Sequence, residues 1–164
     1  MHPYIAQLID AERRAELLRS ADAWRLAHPR INEESPMTVT RTTARAGLPA
    51  GFPFSLAAGT DALCFLSGMV ALDADGTFAP GTFEEEAALA WHNVAAVAEA
   101  SGCSLGDIAY VQCVLRDMES YGDLNAWWRR QFPDVSTAPA RFTFQAGLPL
   151  GAKIEFQAVA VRDT

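Results

Sequence analysis

Two segments in the last third of the chain carry the residues best suited to chemistry. They are Ala138-Pro139-Ala140-Arg141-Phe142-Thr143-Phe144-Gln145 and Pro149-Leu150-Gly151-Ala152-Lys153-Ile154-Glu155-Phe156-Gln157-Ala158. Each reads as an otherwise uncharged or apolar strand. Arg141 stands at the mouth of the first, and its guanidinium offers five donors in a fixed fork that can grip a carboxylate at two points. Glu155 sits inside the second and could take a proton from water or return one to a substrate. Together they suggest a small pocket for an organic acid, with hydrolytic or proton-transfer chemistry. Each also has a plainer reading. Arg141 could be a surface ion-pair partner, and Glu155, alternating with Ile154 and Phe156, could be a solvated outward carboxylate.

Other reactive side chains point to less. Lys153 is the one lysine, so a Schiff-base mechanism has little to build on. Cys64, Cys103 and Cys113 form no CxxC pair, and read as free, buried thiols in a reducing compartment. His2, His28 and His92 lack metal-ligand spacing, so no metal site is expected. His92 reads as a surface or packing residue, and Trp127 and Trp128 as helix packing. The run Glu84-Glu85-Glu86 suits the positive end of a helix.

Totals narrow the classes further. The chain of 164 residues is half hydrophobic and one-fifth charged, as expected of one globular domain with a short appendage. A net charge of -7 argues against a grip on a phosphate backbone, and so against a nucleic-acid partner or ribonuclease action. The N-terminal segment lacks a basic stretch followed by an apolar core, and no run approaches the ~20 apolar residues of a membrane span. The expectation is a cytoplasmic protein without a membrane partner.

Positioning these residues requires an ordered set of elements. Residues 3–27 read as an amphipathic helix and 28–36, with Pro29 and Pro36, as a linker. That gives an N-terminal helical extension over 1–36 and a main domain over 37–164. Within the latter, strands are expected over 38–45, 54–58 and 62–71, with turns at Gly59-Thr60-Asp61 and Asp73-Ala74-Asp75-Gly76. Thr82 and Glu85 match a capping box, so a helix should start at Phe83 and end at Ser101-Gly102. Its buried face would carry Phe83, Ala87, Ala90, Val94 and Val97. A strand over 108–115 follows, then a helix bearing Tyr121, Leu124, Trp128 and Phe132, then strands over 141–146 and 153–161. The order β-β-β-α-β-α-β-β predicts an α+β layer with one sheet and both helices on one face. Leu63, Phe65, Val111, Phe156 and Val159 would then leave the other face apolar, which predicts self-association.

Several segments, in order, resemble the signatures of the RidA/YjgF family of enamine/imine deaminases. They are Phe65-Leu66-Ser67-Gly68-Met69-Val70, Arg116-Asp117-Met118, Asn125, Pro139-Ala140-Arg141 and Lys153-Ile154-Glu155. The likeness runs from about Phe52 to Arg162, and its C-terminal block is the most specific part. The resemblance implies a chorismate-mutase-like α+β fold with a mixed sheet, a homotrimer, and clefts between subunits. It implies cofactor-independent hydrolysis of reactive 2-imino or 2-enamino acids to 2-keto acids and ammonia. By position, Arg141 would hold the substrate carboxylate and Glu155 would orient water and move the proton. Ser67, Gly68 and Thr143 would line the cleft with Asn125 in support. Phe54, after Gly51-Phe52-Pro53, stands where the family commonly carries an aromatic hydroxyl. A non-catalytic protein that binds small carboxylates in the same cleft is the alternative reading.

Overall fold

The computed structural model describes residues 16, 18–20, 23, 38–43 and 52–162. The chain divides into two units, Met1–Pro36 and Met37–Thr164. The helix expected over 3–27 falls mostly outside the described residues, and the linker over 28–36 wholly so. In the first unit, residues 16, 18–20 and 23 are helical and exposed.

Alternation of apolar residues builds the second unit. Strands β1 (Thr40–Thr42), β2 (Ala57–Gly59), β3 (Leu63–Leu66), β4 (Ile108–Leu115), β5 (Ala140–Gln145) and β6 (Ile154–Val161) form one sheet in the order β1-β2-β3-β6-β4-β5. The β4–β5 pair is parallel and the remaining pairs are antiparallel, so the sheet is mixed. Helix α1 (Phe83–Ala100) precedes β4, and helix α2 (Tyr121–Gln131) links β4 to β5.

Along β6 the even positions Ile154, Phe156, Ala158 and Ala160 are buried, as are their neighbours Val111, Cys113 and Leu115 on β4. Both helices cover this face. Trp91 of α1 and Trp127 of α2 each place a ring 5.4 Å from that of Phe156. Fully burying side chains of this size contributes about 1.5–3 kcal/mol apiece, with aromatic pairing adding about 0.5–1.5 kcal/mol.

The uncovered face needs a correction to the sequence expectation. Val111 and Phe156 do not lie on it; both are fully buried beneath the helices. Phe156 and Val159 are an odd number of residues apart on one regular strand, so they point to opposite faces. Leu63 and Phe65 do lie opposite Val161 and Val159 on the uncovered face, where Phe142 and Val161 add exposed apolar surface.

The Thr82 capping box forms as the spacing predicts. The Thr82 amide donates to Glu85 Oε2 at 2.7 Å, and the Glu85 amide to Thr82 Oγ1 at 3.3 Å. Ala87, Ala90, Val94 and Val97 then face the core. Glu86 behaves differently from its neighbours in the acidic run, being 1% exposed. Its Oε1 accepts from Lys153 Nζ at 2.6 Å and its Oε2 from the Lys153 amide at 2.7 Å. Burial alone would push this carboxyl up, but these bonds and one from the Gly81 amide hold it below the usual range. The pair ties the first turn of α1 to the start of β6, two residues before Glu155.

Strands β2 and β3 are shorter than expected, for a reason that bears on the site. From the Phe65↔Val159 pair to the Met69↔Phe156 bridge, four steps on one side meet three on the other. The extra residue makes a bulge at Ser67-Gly68, a device that re-aims side chains next to sites. A Cβ on Gly68 would collide with the carboxylate of Glu155, so the absent side chain is what gives that glutamate its slot.

Candidate active site

Arg141 lies on the helix-covered face of edge strand β5, level with Val111. Residues of α2 four and three positions apart set it in place: Tyr121, Asn125 and Trp128 share one side of that helix. The Arg141 Nη2 donates to Asn125 Oδ1 at 2.6 Å. Its guanidinium carbon sits 5.0 Å from the Trp128 ring centre and 5.8 Å from that of Tyr121. The other terminal nitrogen, Nη1, is buried and has no hydrogen-bond partner among the described residues. A buried donor left unpaired costs about 1–3 kcal/mol, more when charged. Among the described residues nothing meets that cost.

Thr143 follows on the same face beside Cys113. Burial pushes the Cys113 thiol up to about 12, although Arg141 and the Thr143 hydroxyl both pull it down. At neutral pH this sulfur is a protonated thiol, and no nucleophile.

Glu155 stands on the other face of the sheet, in register with Val114. It is partly buried and accepts no hydrogen bond from any described residue. Burial raises its carboxyl above the usual range. It projects into a cavity of about 580 Å³ lined also by Ser67, Gly68, Phe54, Phe52 and Leu150. The Ser67 hydroxyl donates to the Ser55 carbonyl at 2.8 Å, which fixes the bulge. Phe54 is half exposed and packs its ring 5.4 Å from that of Phe52.

The sequence-derived residues thus fall into two groups. Arg141, Asn125 and Thr143 come together on one face; Glu155, Ser67, Gly68 and Phe54 come together on the other. Arg141 and Glu155 are separated by two strand spacings of ~4.8 Å and three residues of ~3.3 Å, about 14 Å between backbones, with side chains pointing apart. One chain does not bring them to a single small ligand.

Sequence reasoning missed three contributors. Tyr121 and Trp128 looked like packing residues, yet both support Arg141; their spacing to Asn125 was the available signal. Trp127, by contrast, is a core residue at 2% exposure. The third is the turn Pro149–Gly151. Leu150 there has φ 59 and ψ 9, a left-handed conformation that costs a non-glycine residue about 1–2 kcal/mol, and Gly151 follows at φ 72. Arg116 Nη1 holds the turn by donating to the Gly151 carbonyl at 2.6 Å. His92 is exposed on α1. Among the described residues no cluster of His, Cys, Asp and Glu could hold a metal, and no helix is long and apolar enough to cross a membrane.

A mixed sheet under two helices, with an oriented guanidinium on one face and a desolvated carboxyl on the other, defines an α+β domain. The family model described as Endoribonuclease L-PSP matches residues 45–162, and the chain belongs to this family, the RidA/YjgF family. It is similar to the 2-iminobutanoate/2-iminopropanoate deaminase of Mus musculus, with 33% identity over 123 residues, 74% of this chain and 89% of the relative. The crystal structure of yeast YEO7 is similar at a TM-score of 0.70 and 28% identity, covering 77% of this chain and all of that one. That of Escherichia coli TdcF with bound serine is similar at a TM-score of 0.67 and 26% identity, covering 76% of this chain and all of that one.

Proposed function

We propose that this protein is a cofactor-independent hydrolytic deaminase. It converts reactive 2-imino or 2-enamino acids to 2-keto acids and ammonia, in clefts where Arg141 of one chain meets Glu155 of the next. The observation that carries the reading is the Arg141 guanidinium, oriented by Asn125 and Trp128 and left with a buried, unpaired Nη1. That donor suits one oxygen of a carboxylate. Placement of Glu155 on the opposite sheet face requires a second copy, and the apolar uncovered face suits a closed ring of chains, a homotrimer.

In such a cleft the substrate carboxylate lies on Arg141 while Glu155 holds a water against the imine carbon. Glu155 takes a proton from the water as its oxygen bonds to that carbon, which forms a carbinolamine. That proton passes to the nitrogen; Glu155 then moves the carbinolamine hydroxyl proton to the same nitrogen as the carbonyl forms and the C–N bond breaks, so ammonia leaves with the keto acid behind. Water is the sole co-reactant. Burial raises this carboxyl above the ordinary range, which makes it a stronger base toward water than an exposed glutamate. Names of relatives support the activity: the mouse protein is a 2-iminobutanoate/2-iminopropanoate deaminase, and the TdcF structure carries an amino acid of similar size.

The test is turnover of an imino acid generated in situ by an amino-acid oxidase, followed as keto-acid release. Arg141→Ala and Glu155→Gln proteins should each be inactive alone. After subunit exchange, a ring with one residue from each neighbour regains about a quarter of its sites in an equal random mixture. A wild-type rate equal to buffer removes the proposal; no recovery on mixing removes its shared cleft.

A further inference from the structure

We infer that the cleft selects 2-imino acids with bulky apolar side chains, aromatic or branched aliphatic, over those with a methyl or ethyl group. This rests on the deaminase reading above and deepens it. The inference begins with the cavity beside Glu155. At about 580 Å³ it falls within the roughly 300–1,000 Å³ of pockets that enclose a drug-sized ligand. The neighbouring chain that brings Arg141 takes up part of this volume, and a methyl or ethyl group would touch few of the apolar side chains that this wall supplies.

Apart from Glu155 and Ser67, whose hydroxyl already donates to the Ser55 carbonyl, the lining side chains are apolar. Phe52, Phe54, Leu56, Met69 and Leu150 supply side chains, and Glu155 is the one ionisable residue among the described lining. Phe54 brings a ring without a hydroxyl, so nothing on that wall asks for a polar group. With the reacting carbon placed at Glu155 and the carboxylate reaching outward to a guanidinium, the remaining substituent has this cavity as its space.

Leu150 adds an independent observation. It is an isobutyl side chain held on a left-handed backbone, 65% exposed, at the cavity wall. Among the described residues it is the sole non-glycine with positive φ. Strain of this kind persists where surroundings over-determine it and tends to gather at ligand clamps. Here the Arg116 bond to Gly151 imposes the turn. The turn presents an apolar side chain where glycine would be easier for the backbone. Covering the substrate's side chain is the use that position offers, which makes Leu150 a specificity residue.

The experiment compares kcat/KM for imines generated in situ from phenylalanine, leucine and alanine, first in the wild type and then in Leu150→Gly. Glycine accepts the left-handed backbone freely, so that variant keeps the fold. Expected is a wild-type preference of at least about tenfold for the phenylalanine- and leucine-derived imines, collapsing by about tenfold in Leu150→Gly, since apolar pocket contacts are worth roughly 10–200-fold in discrimination. A wild-type ratio of one or less, or an unchanged ratio in the variant, overturns the inference while leaving the deaminase reading intact. If no imine is turned over, the deaminase reading fails, and binding decides the pocket instead. Phenylpyruvate raising Tm more than pyruvate, with the excess lost in Leu150→Gly, supports it; equal shifts overturn it.

Discussion

Replacing Arg141 by lysine keeps the positive charge and removes the fork. In the wild type, Nη2 is engaged by Asn125 and the guanidinium plane rests on Trp128. Nη1 and the second N–H of Nη2 then form the end of the fork, which can take a substrate carboxylate at two points. A lysine ammonium at the end of a flexible stem supplies a single point of contact and no planar register. The net loss is about one charge-assisted hydrogen bond, worth about 1.5–3 kcal/mol. At about 1.4 kcal/mol per decade this is a fall in kcat/KM of roughly 10- to 150-fold. A carboxylate is gripped equally before and during hydrolysis, so the loss should appear in KM while kcat changes little. The assay generates a 2-imino acid in situ and follows keto-acid release over a range of substrate concentration. Losing the ring contacts costs stability as well, about 0.5–1 kcal/mol, or a Tm lower by roughly 1–4 °C. A lysine variant with wild-type KM would refute the grip. A variant with unchanged KM and depressed kcat would assign Arg141 to the chemical step instead.

The titration of Glu155 has a definite sign. Burial raises its folded pKa above the ordinary 4.5, so between these values the folded state holds the extra proton and stability falls as pH rises. Glu155→Gln should remove that slope and raise Tm near neutral pH while abolishing turnover; a wild-type Tm flat over that window would contradict it. Glu86 runs the other way. Its lowered pKa contributes stability that is present above pH ~4.5 and lost as pH falls through the folded value. Lys153→Met strands this buried carboxylate and should cost roughly 3 kcal/mol, the low end for breaking a buried pair, because the lysine side chain keeps 31% exposure. At about 2–4 °C per kcal/mol, Tm should drop by roughly 6–12 °C in a calorimetric scan; a drop under about 2 °C would show that the pair is not needed. Cys113, its thiol pushed to about 12, should resist iodoacetamide at neutral pH in the native state and react after unfolding; prompt native labelling would mean that the strand is open.

Local chemistry made much of the fold legible. The Thr82-Glu85 box, the intervals of three and four in α1, the Asp73–Gly76 turn and the alternation in β6 each depend on a few neighbouring residues. What depended on pairing between strands was harder to read. The uncovered face was misassigned at Val111 and Phe156 because burial under a helix is set by tertiary packing, even though the parity of Phe156 and Val159 was already on view. Glu86 looked like its two acidic neighbours, since its partner Lys153 lies far along the chain. For the site, residue types identified Arg141 and Glu155, but their placement on opposite faces follows from strand order and register. Leu150 carried no signal: only glycine is commonly expected in a left-handed turn.

The route of the chain through α2 has a kinetic consequence. Everything that orients Arg141 lies in one uninterrupted stretch, from β4 through α2 to the parallel strand β5. The hollow around Glu155 instead gathers the residues before β2, the bulge after β3, the turn at Pro149 and strand β6, so closing it requires long chain loops. Contacts near in sequence form early in folding, whereas distant pairings come late and are the first to open. Amide hydrogen exchange should therefore be slow across Val111–Leu115 and fast around Ser67-Gly68. The anion grip would thus persist through excursions that dissolve the hollow, so a bound acid could outlast the walls that chose it.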